Sequence, residues 1–205
     1  MRVLLARRYG AEWLDVREFV RPHTVMVDAV VRRHGPRTVH GWWTWVATTI
    51  RYPFGAPAWE DLHVEQAYWR PVGRGGRSPL FRYVQPDYWE YPSETLRDGV
   101  GDCKDTAILL TSILRHLLPP DQVVVSVGWF TTPTRRFLHA WTTVRIRGRL
   151  MALDTTINPP PPPGWWIPEH PHYRPFFRFN DQRTWLLDPA AARAAYGTTI
   201  HIAAG

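Results

Sequence analysis

Only one cysteine, Cys103, and one lysine, Lys104, occur in the 205 residues, and they are adjacent. A lone thiol excludes an intramolecular disulfide and leaves too few thiolates for a cysteine-rich zinc site. The scarcity of lysine means that the formal charge of +7 is carried almost wholly by arginine, which grips phosphate or carboxylate but also makes ordinary surface ion pairs. Long apolar runs are absent as well. No stretch has the length needed to cross a bilayer, and MRVLLARR offers four apolar residues between its first arginine and the next pair, too few for a signal peptide. A soluble, cytoplasmic protein with no membrane association is the expectation, although the redox compartment stays open. The HExxH spacing is missing, and Glu169, His170 and His172 alternate with proline in an irregular chain, so no metal is expected. GRGG at 73–76 lacks the lysine and hydroxyl of a phosphate-binding loop and reads as a turn. No cofactor is expected.

What is present is apolar and aromatic. At 44% hydrophobic the chain can bury one substantial core, and a single domain over 1–205 is expected. Twelve tryptophans and twenty prolines suggest large rigid rings held between stiff connections. Residues 25–31 form an apolar run, interrupted by Asp28, that fits a short helix or a strand. In VHGWWTWVATTIRY, residues 39–52, Trp42, Trp45, Val46 and Ile50 fall at helical spacing before Pro53. This helix is expected to pack on the one that carries Cys103. Residues 53–93, rich in proline and glycine, read as an irregular excursion, either a lid or groove wall or a structural wrap.

The clearest element is a helix over 103–118. Asp102 is a good N-cap, Asp105 stands three positions later, and Pro119 with Pro120 end the helix. Ala107, Leu110, Leu114 and Leu117 form an apolar stripe that Cys103 begins. A small thiol on such a stripe would ordinarily be core. Its place in the first turn argues otherwise, because unpartnered backbone N–H groups and the positive end of the helix dipole favour a thiolate there. Asp102 and Asp105 oppose that effect, so a histidine is needed as partner and base.

Strands follow at 122–130, 137–146 and 150–155, the last two joined at Arg147-Gly148. With that turn, Ile146 faces Arg149 and Trp141 faces Asp154. His139 is then diagonal to Asp154 on the same side of the sheet, with alpha-carbons roughly 7 to 8 Å apart. A turn at Gly148-Arg149 would separate the pair. His139, Trp141 and Thr143 share one face of the strand, while Leu138, Ala140, Val144 and Ile146 line the other. Five consecutive prolines at 159–163 read as a stiff connection to Trp165 and Trp166, with a partner's aromatic groove as the alternative. Asp188-Pro189 caps a short helix over 189–196, and TTIHI adds a last strand.

Cysteine, histidine and a carboxylate in this arrangement are the parts of covalent catalysis by a thiol. The run DYWEYPSETLRDGVGDCKDTAILLTSILR at 87–115, with HAW at 139–141, GR at 148–149 and LDTT at 153–156, resembles the transglutaminase-like cysteine-protease superfamily, its small microbial branch. WVATTIRY is similar to the helix and tyrosine that precede the family's core. The resemblance covers about 40–156, leaving 157–205 as a proline- and aromatic-rich extension. It implies an α+β, papain-like fold in which a helix beginning at the catalytic cysteine packs on an antiparallel sheet. Cys103 is then the nucleophile, His139 the base and acid, and Asp154 the orienting carboxylate.

The activity expected is a thiol-dependent amidohydrolase or peptidase acting on a peptide or protein. Transfer of the acyl group to an amine is one alternative, and a non-enzymatic binding module is another. The Cys103 N–H is the natural first oxyanion donor. Trp89 and Gln85 are candidates for the second, and Trp141 is a candidate wall of the cleft. Arg135, Arg136, Arg145, Arg147 and Arg149 gather near the hairpin and offer an edge to an acidic partner; a solvated edge is preferred to a nucleic-acid surface.

Overall fold

The computed structural model describes residues 1–7, 10–35, 37–52, 69–72, 76–79, 89–157, 159–197 and 200–202. The chain opens with an antiparallel hairpin, β1 (Arg2–Arg7) and β2 (Gly10–Asp15), followed by a 3-10 turn over Val16–Phe19. The run at 25–31 forms a helix, α1 (Val25–His34), because Thr24 caps it by accepting from the Val27 N–H at 3.2 Å. Of that run only Val27 is fully buried and Val25 is 83% exposed, a pattern a core strand would not show. Helix α2 (Val39–Thr49) starts at the Thr38 cap and buries Trp42, Trp43 and Val46. Trp43 therefore takes the core position that helical spacing had given to Trp45. Strands β3 (Trp69–Val72) and β4 (Gly76–Pro79) pair with each other. The rest of the excursion, including 73–75 of GRGG and Gln85, lies outside the described residues apart from its last five positions.

A short helix, α3 (Pro92–Asp98), leads into α4 (Cys103–Leu114). The capping box of α4 is closed. Asp102 accepts from the Lys104 N–H at 3.0 Å, and Asp105 accepts from the Asp102 N–H at 3.1 Å. The helix ends at Leu114, short of the expected 118, and Leu117 lies beyond it at 42% exposure. Within α4 the expected single stripe gives way to burial on every side from Lys104 to Leu114, as befits a helix in the centre of a fold. Leu109, Leu110, Ile113 and Leu114 pack with Trp42, Trp43, Val46 and Ile50 of the α2 segment. On the opposite side, Ala107 and Ile108 join a second cluster with Val3, Leu5 and Phe19.

The main sheet contains β5 (Val123–Thr131), β6 (Arg136–Ile146), β7 (Arg149–Leu153), β8 (Ile167–Pro168), β9 (Tyr173–Phe179) and β10 (Thr184–Leu186). Its order is β10-β9-β5-β6-β7-β8, and every pairing is antiparallel. The fold is thus α+β, with α4 packed on an antiparallel sheet. Arg147 and Gly148 make the β6–β7 turn, both with positive φ (49° and 78°), as a two-residue primed turn demands. Ile146 faces Arg149 and Thr142 faces Leu153, the expected register. Asp188 caps α5 (Pro189–Tyr196), and β11 (Ile200–His201) pairs with β1.

One expectation about the surface changes. Arg135 and Arg136 stand at one end of β6 and Arg145, Arg147 and Arg149 at the other, some ~30 Å apart at the rise of a strand. The five arginines therefore make two groups, and Arg136 lies over the Trp129 ring at 4.7 Å. Among the described residues no helix is long and apolar enough to cross a membrane.

Candidate active site

Ala140, Thr142 and Val144 turn toward α4, and Thr142 Oγ1 donates to the Ala107 carbonyl at 3.0 Å. His139, Trp141 and Thr143 lie on the other face of β6, and that face is buried too, under Tyr173 and Glu169. Glu169, weighed in the sequence with the nearby histidines, is engaged here by Trp141 Nε1 at 2.9 Å, by Thr143 Oγ1 at 2.7 Å and by Arg178.

His139 Nε2 meets Asp154 Oδ2 at 2.8 Å, and the imidazole lines one cleft with Cys103. Cys103 and His139 therefore share a cleft, and Asp154 is bonded to the imidazole. Burial works against a charged imidazole, but the hydrogen bond to Asp154 and the charges of Asp154 and Cys103 overcome it, and His139 is pushed up to about 10. Asp154 is almost completely buried, which alone would raise its pKa. The bond and charge of His139 and two bonds from Thr156 reverse this and hold it below the usual carboxylate range.

Four groups saturate the Asp154 carboxylate. Oδ1 accepts from the Thr156 N–H at 3.0 Å and from its hydroxyl at 2.7 Å, and Oδ2 accepts from Tyr173 at 2.9 Å as well as from His139. The Asp154 carbonyl in turn accepts from Trp43 Nε1 at 3.0 Å, so α2 holds the backbone of the acid in place. Thr155 Oγ1 donates to Thr106 Oγ1 at 2.6 Å, and Thr106 donates to the Asp102 carbonyl at 2.8 Å. This chain of bonds ties the loop after β7 to the first turn of α4, fixing the acid relative to the sulfur.

Cys103 is half-buried and opens on a cleft of about 200 Å³ lined by Trp89, Asp102, Lys104, Val127, Leu138, His139, Ala140 and Tyr196. Lys104 pairs with Asp102, so the carboxylate that would discourage negative charge at the helix start is neutralised. The Tyr52 hydroxyl is hydrogen-bonded to the Cys103 backbone, and burial first, then the charges of Cys103 and Asp102, push its pKa well above the usual phenol range. Trp89 is fully buried between Phe19 and Phe179, at 5.4 and 5.8 Å between ring centroids, while also lining the cleft. Trp141 requires a correction. It is fully buried beside the imidazole, 6.2 Å away and nearly parallel, and is not among the cleft-lining residues. Gln85 lies outside the described residues.

Tyr173, Thr156 and Trp43 were not singled out from the sequence as parts of a site. Thr156 carried a signal, since an Asp followed two positions later by Thr is an Asx-turn pattern. Tyr173 and Trp43 carried none, being distant in the chain. Tyr52 was visible only as part of WVATTIRY.

Residues 80–168 match the profile of the transglutaminase-like superfamily. The fold is similar to three structures of LapG from Legionella pneumophila. One has 17% identity and a TM-score of 0.47, covering 82% of this chain and 79% of that one. The EGTA-treated form has 18% identity and a TM-score of 0.46, covering 78% and 73%. The calcium-bound form has 18% identity and a TM-score of 0.40, covering 78% and 86%. No curated protein matches the sequence. The expectation of a cytoplasmic protein does not stand. The physical reason is that a chain with a single free thiol suits an oxidising or a reducing compartment equally. The matched segment contains Cys103, His139 and Asp154, and over that segment the chain is similar to the transglutaminase-like superfamily.

Proposed function

We propose that the protein is a thiol-dependent amidohydrolase or peptidase that cleaves an amide bond of a peptide or protein through an acyl-enzyme on Cys103. The observation that carries this reading is the His139 imidazole, bonded to Asp154 at 2.8 Å and lining one open cleft with Cys103, the first residue of its helix. The sulfur attacks the carbonyl carbon, forming the S–C bond, and the carbonyl oxygen takes the negative charge. His139, kept protonated by Asp154, passes its proton to the departing amine as the C–N bond breaks. It then removes a proton from water, which attacks the acyl-enzyme and releases the acid. The Cys103 N–H and the Tyr52 hydroxyl lie together beside the sulfur and are the groups assigned to the oxyanion. Trp141 and Tyr173 pack around the imidazole and keep water from the His139–Asp154 bond.

Labelling by iodoacetamide tests the reading. Cys103 is expected to react faster than free cysteine at neutral pH and to lose that advantage in His139→Ala. Labelling at the rate of free cysteine in both proteins defeats the proposal and favours a non-enzymatic module. Digestion of a mixed peptide library with and without a primary amine then separates hydrolysis from acyl transfer. Peptide acids alone are expected, and amine-capped products would move the activity to a transferase on the same residues.

A further inference from the structure

Away from the cleft, His23, Asp28 and His116 place one ligand atom each within 4.8 Å of the others. They come from different parts of the chain. His23 stands just before Thr24, the cap of α1, Asp28 lies in the first turn of that helix, and His116 follows the end of α4. His116 Nε2 is 3.6 Å from Asp28 Oδ1, and His23 Nδ1 is 3.9 Å from the same oxygen. Nε2 of His116 also lies 2.7 Å from the Pro22 carbonyl oxygen. The two imidazoles meet edge to face with centroids 5.1 Å apart.

Ion pairing alone is a poor account of this cluster. The His23 side chain is 77% exposed, and pairs at such sites contribute little. Ligand atoms around a tetrahedral ion with bonds of about 2.0–2.2 Å stand roughly 3.3–3.6 Å apart. The two separations to Asp28 need to close by only a few tenths of an ångström, and the exposed His23, within 4.8 Å of His116, is the ligand that moves to complete the set. Two imidazoles and a carboxylate are a donor set for zinc, cobalt or nickel, whereas calcium and magnesium select oxygen. We propose that His23 Nδ1, Asp28 Oδ1 and His116 Nε2 bind a divalent transition-metal ion of the zinc class, the ion displacing the Nε2 proton that now bonds the Pro22 carbonyl. The ion would clip the start of α1 to the end of α4. It would sit roughly 17 Å along α4 from Cys103, at the rise of a helix, and so act on stability and not on the thiol chemistry.

The test uses Cys103→Ser, so that the sulfur cannot compete for metal. Titration calorimetry is expected to show one zinc ion per chain with an affinity of about micromolar order. Cobalt should give the visible absorption of a tetrahedral site. At about 100-fold excess over Kd, Tm should rise by about 5 °C. His23→Ala changes a surface residue and leaves the core intact. It should weaken binding at least about tenfold, as should Asp28→Asn, while His170→Ala with His172→Ala leaves it unchanged. Absence of saturable binding up to about 1 mM metal, or equal affinity in His23→Ala, Asp28→Asn and the parent, overturns the site. So does loss of binding in the His170/His172 variant alone.

Discussion

Tyr173 donates its hydroxyl to Asp154 Oδ2 at 2.9 Å, the same oxygen that His139 reaches at 2.8 Å. A residue of β9 thus restrains a carboxylate in the loop after β7, with β5 and β6 between them in the sheet. Tyr173→Phe keeps the ring contacts with Phe130 and Trp141, at 4.7 and 5.0 Å, and removes only the hydrogen bond. Three donors to the carboxylate remain, so kcat should fall about tenfold with KM unchanged. Asp154→Asn, which removes the charge itself, should cost about 10²-fold or more. Steady-state kinetics on a cleaved peptide separate the two effects.

His139 is held at about 10 against an ordinary 6.5, so folding favours its protonated form. The associated stability is fully present below about pH 6.5 and is lost as pH rises through about 10. The proton needed by the leaving amine follows the same course, and the basic limb of kcat/KM should lie near 10. In Asp154→Asn that limb should move down toward the ordinary imidazole range. An unmoved limb would show that another group is titrating.

Glu90 carries the opposite charge logic. Burial first, then the nearby Asp98 and Glu94, push it up to about 7 from 4.5, against the Thr95 hydroxyl and Lys104. A carboxyl raised on folding stabilises the fold in its protonated form, and that stability is lost as pH rises from about 4.5 through about 7. Glu90→Gln should flatten the dependence of Tm on pH across this window, as measured by calorimetry.

Gly128 faces His139 across the β5–β6 ladder, and β9 has a register shift beside it. A Cβ at this position would lie 2.1 Å from the Arg174 carbonyl oxygen and 2.5 Å from the Pro175 alpha-carbon. Both are backbone atoms, so the strand itself must move. Gly128→Ala should lose about 2–4 kcal/mol in urea unfolding, and because the displaced strand carries Tyr173, activity should fall in the protein that remains folded.

Trp43→Phe isolates the backbone anchor of the acid. It keeps most of the buried ring and removes the 3.0 Å bond to the Asp154 carbonyl. A loss of about 1–2 kcal/mol in stability, with a smaller fall in kcat than for Asp154→Asn, is expected from paired unfolding and kinetic measurements.

Short-range chemistry made much of this legible before the tertiary structure. The Asp102 cap marked the start of α4 beside Cys103, Arg147-Gly148 set the hairpin register, and that register put His139 diagonal to Asp154. The limits are equally physical. Binary pattern described one apolar face of β6, yet both faces are covered, because the Ile167, Glu169 and Tyr173 side chains of neighbouring segments pack over the side carrying His139 and Trp141. For the same reason Trp141 reads as a cleft wall in the strand pattern and is sealed in the fold.

Capping, turn geometry and the period of apolar residues act over a few positions, and they determined where the thiol, imidazole and carboxylate stand on their own elements. The partners of those groups were decided only by the tertiary structure. Trp43, Tyr173, the Lys104 pairing beside the sulfur and the His23–Asp28–His116 cluster depend on how separate elements pack. Packing responds to the shape and volume of the whole core, to which no single stretch of sequence has access.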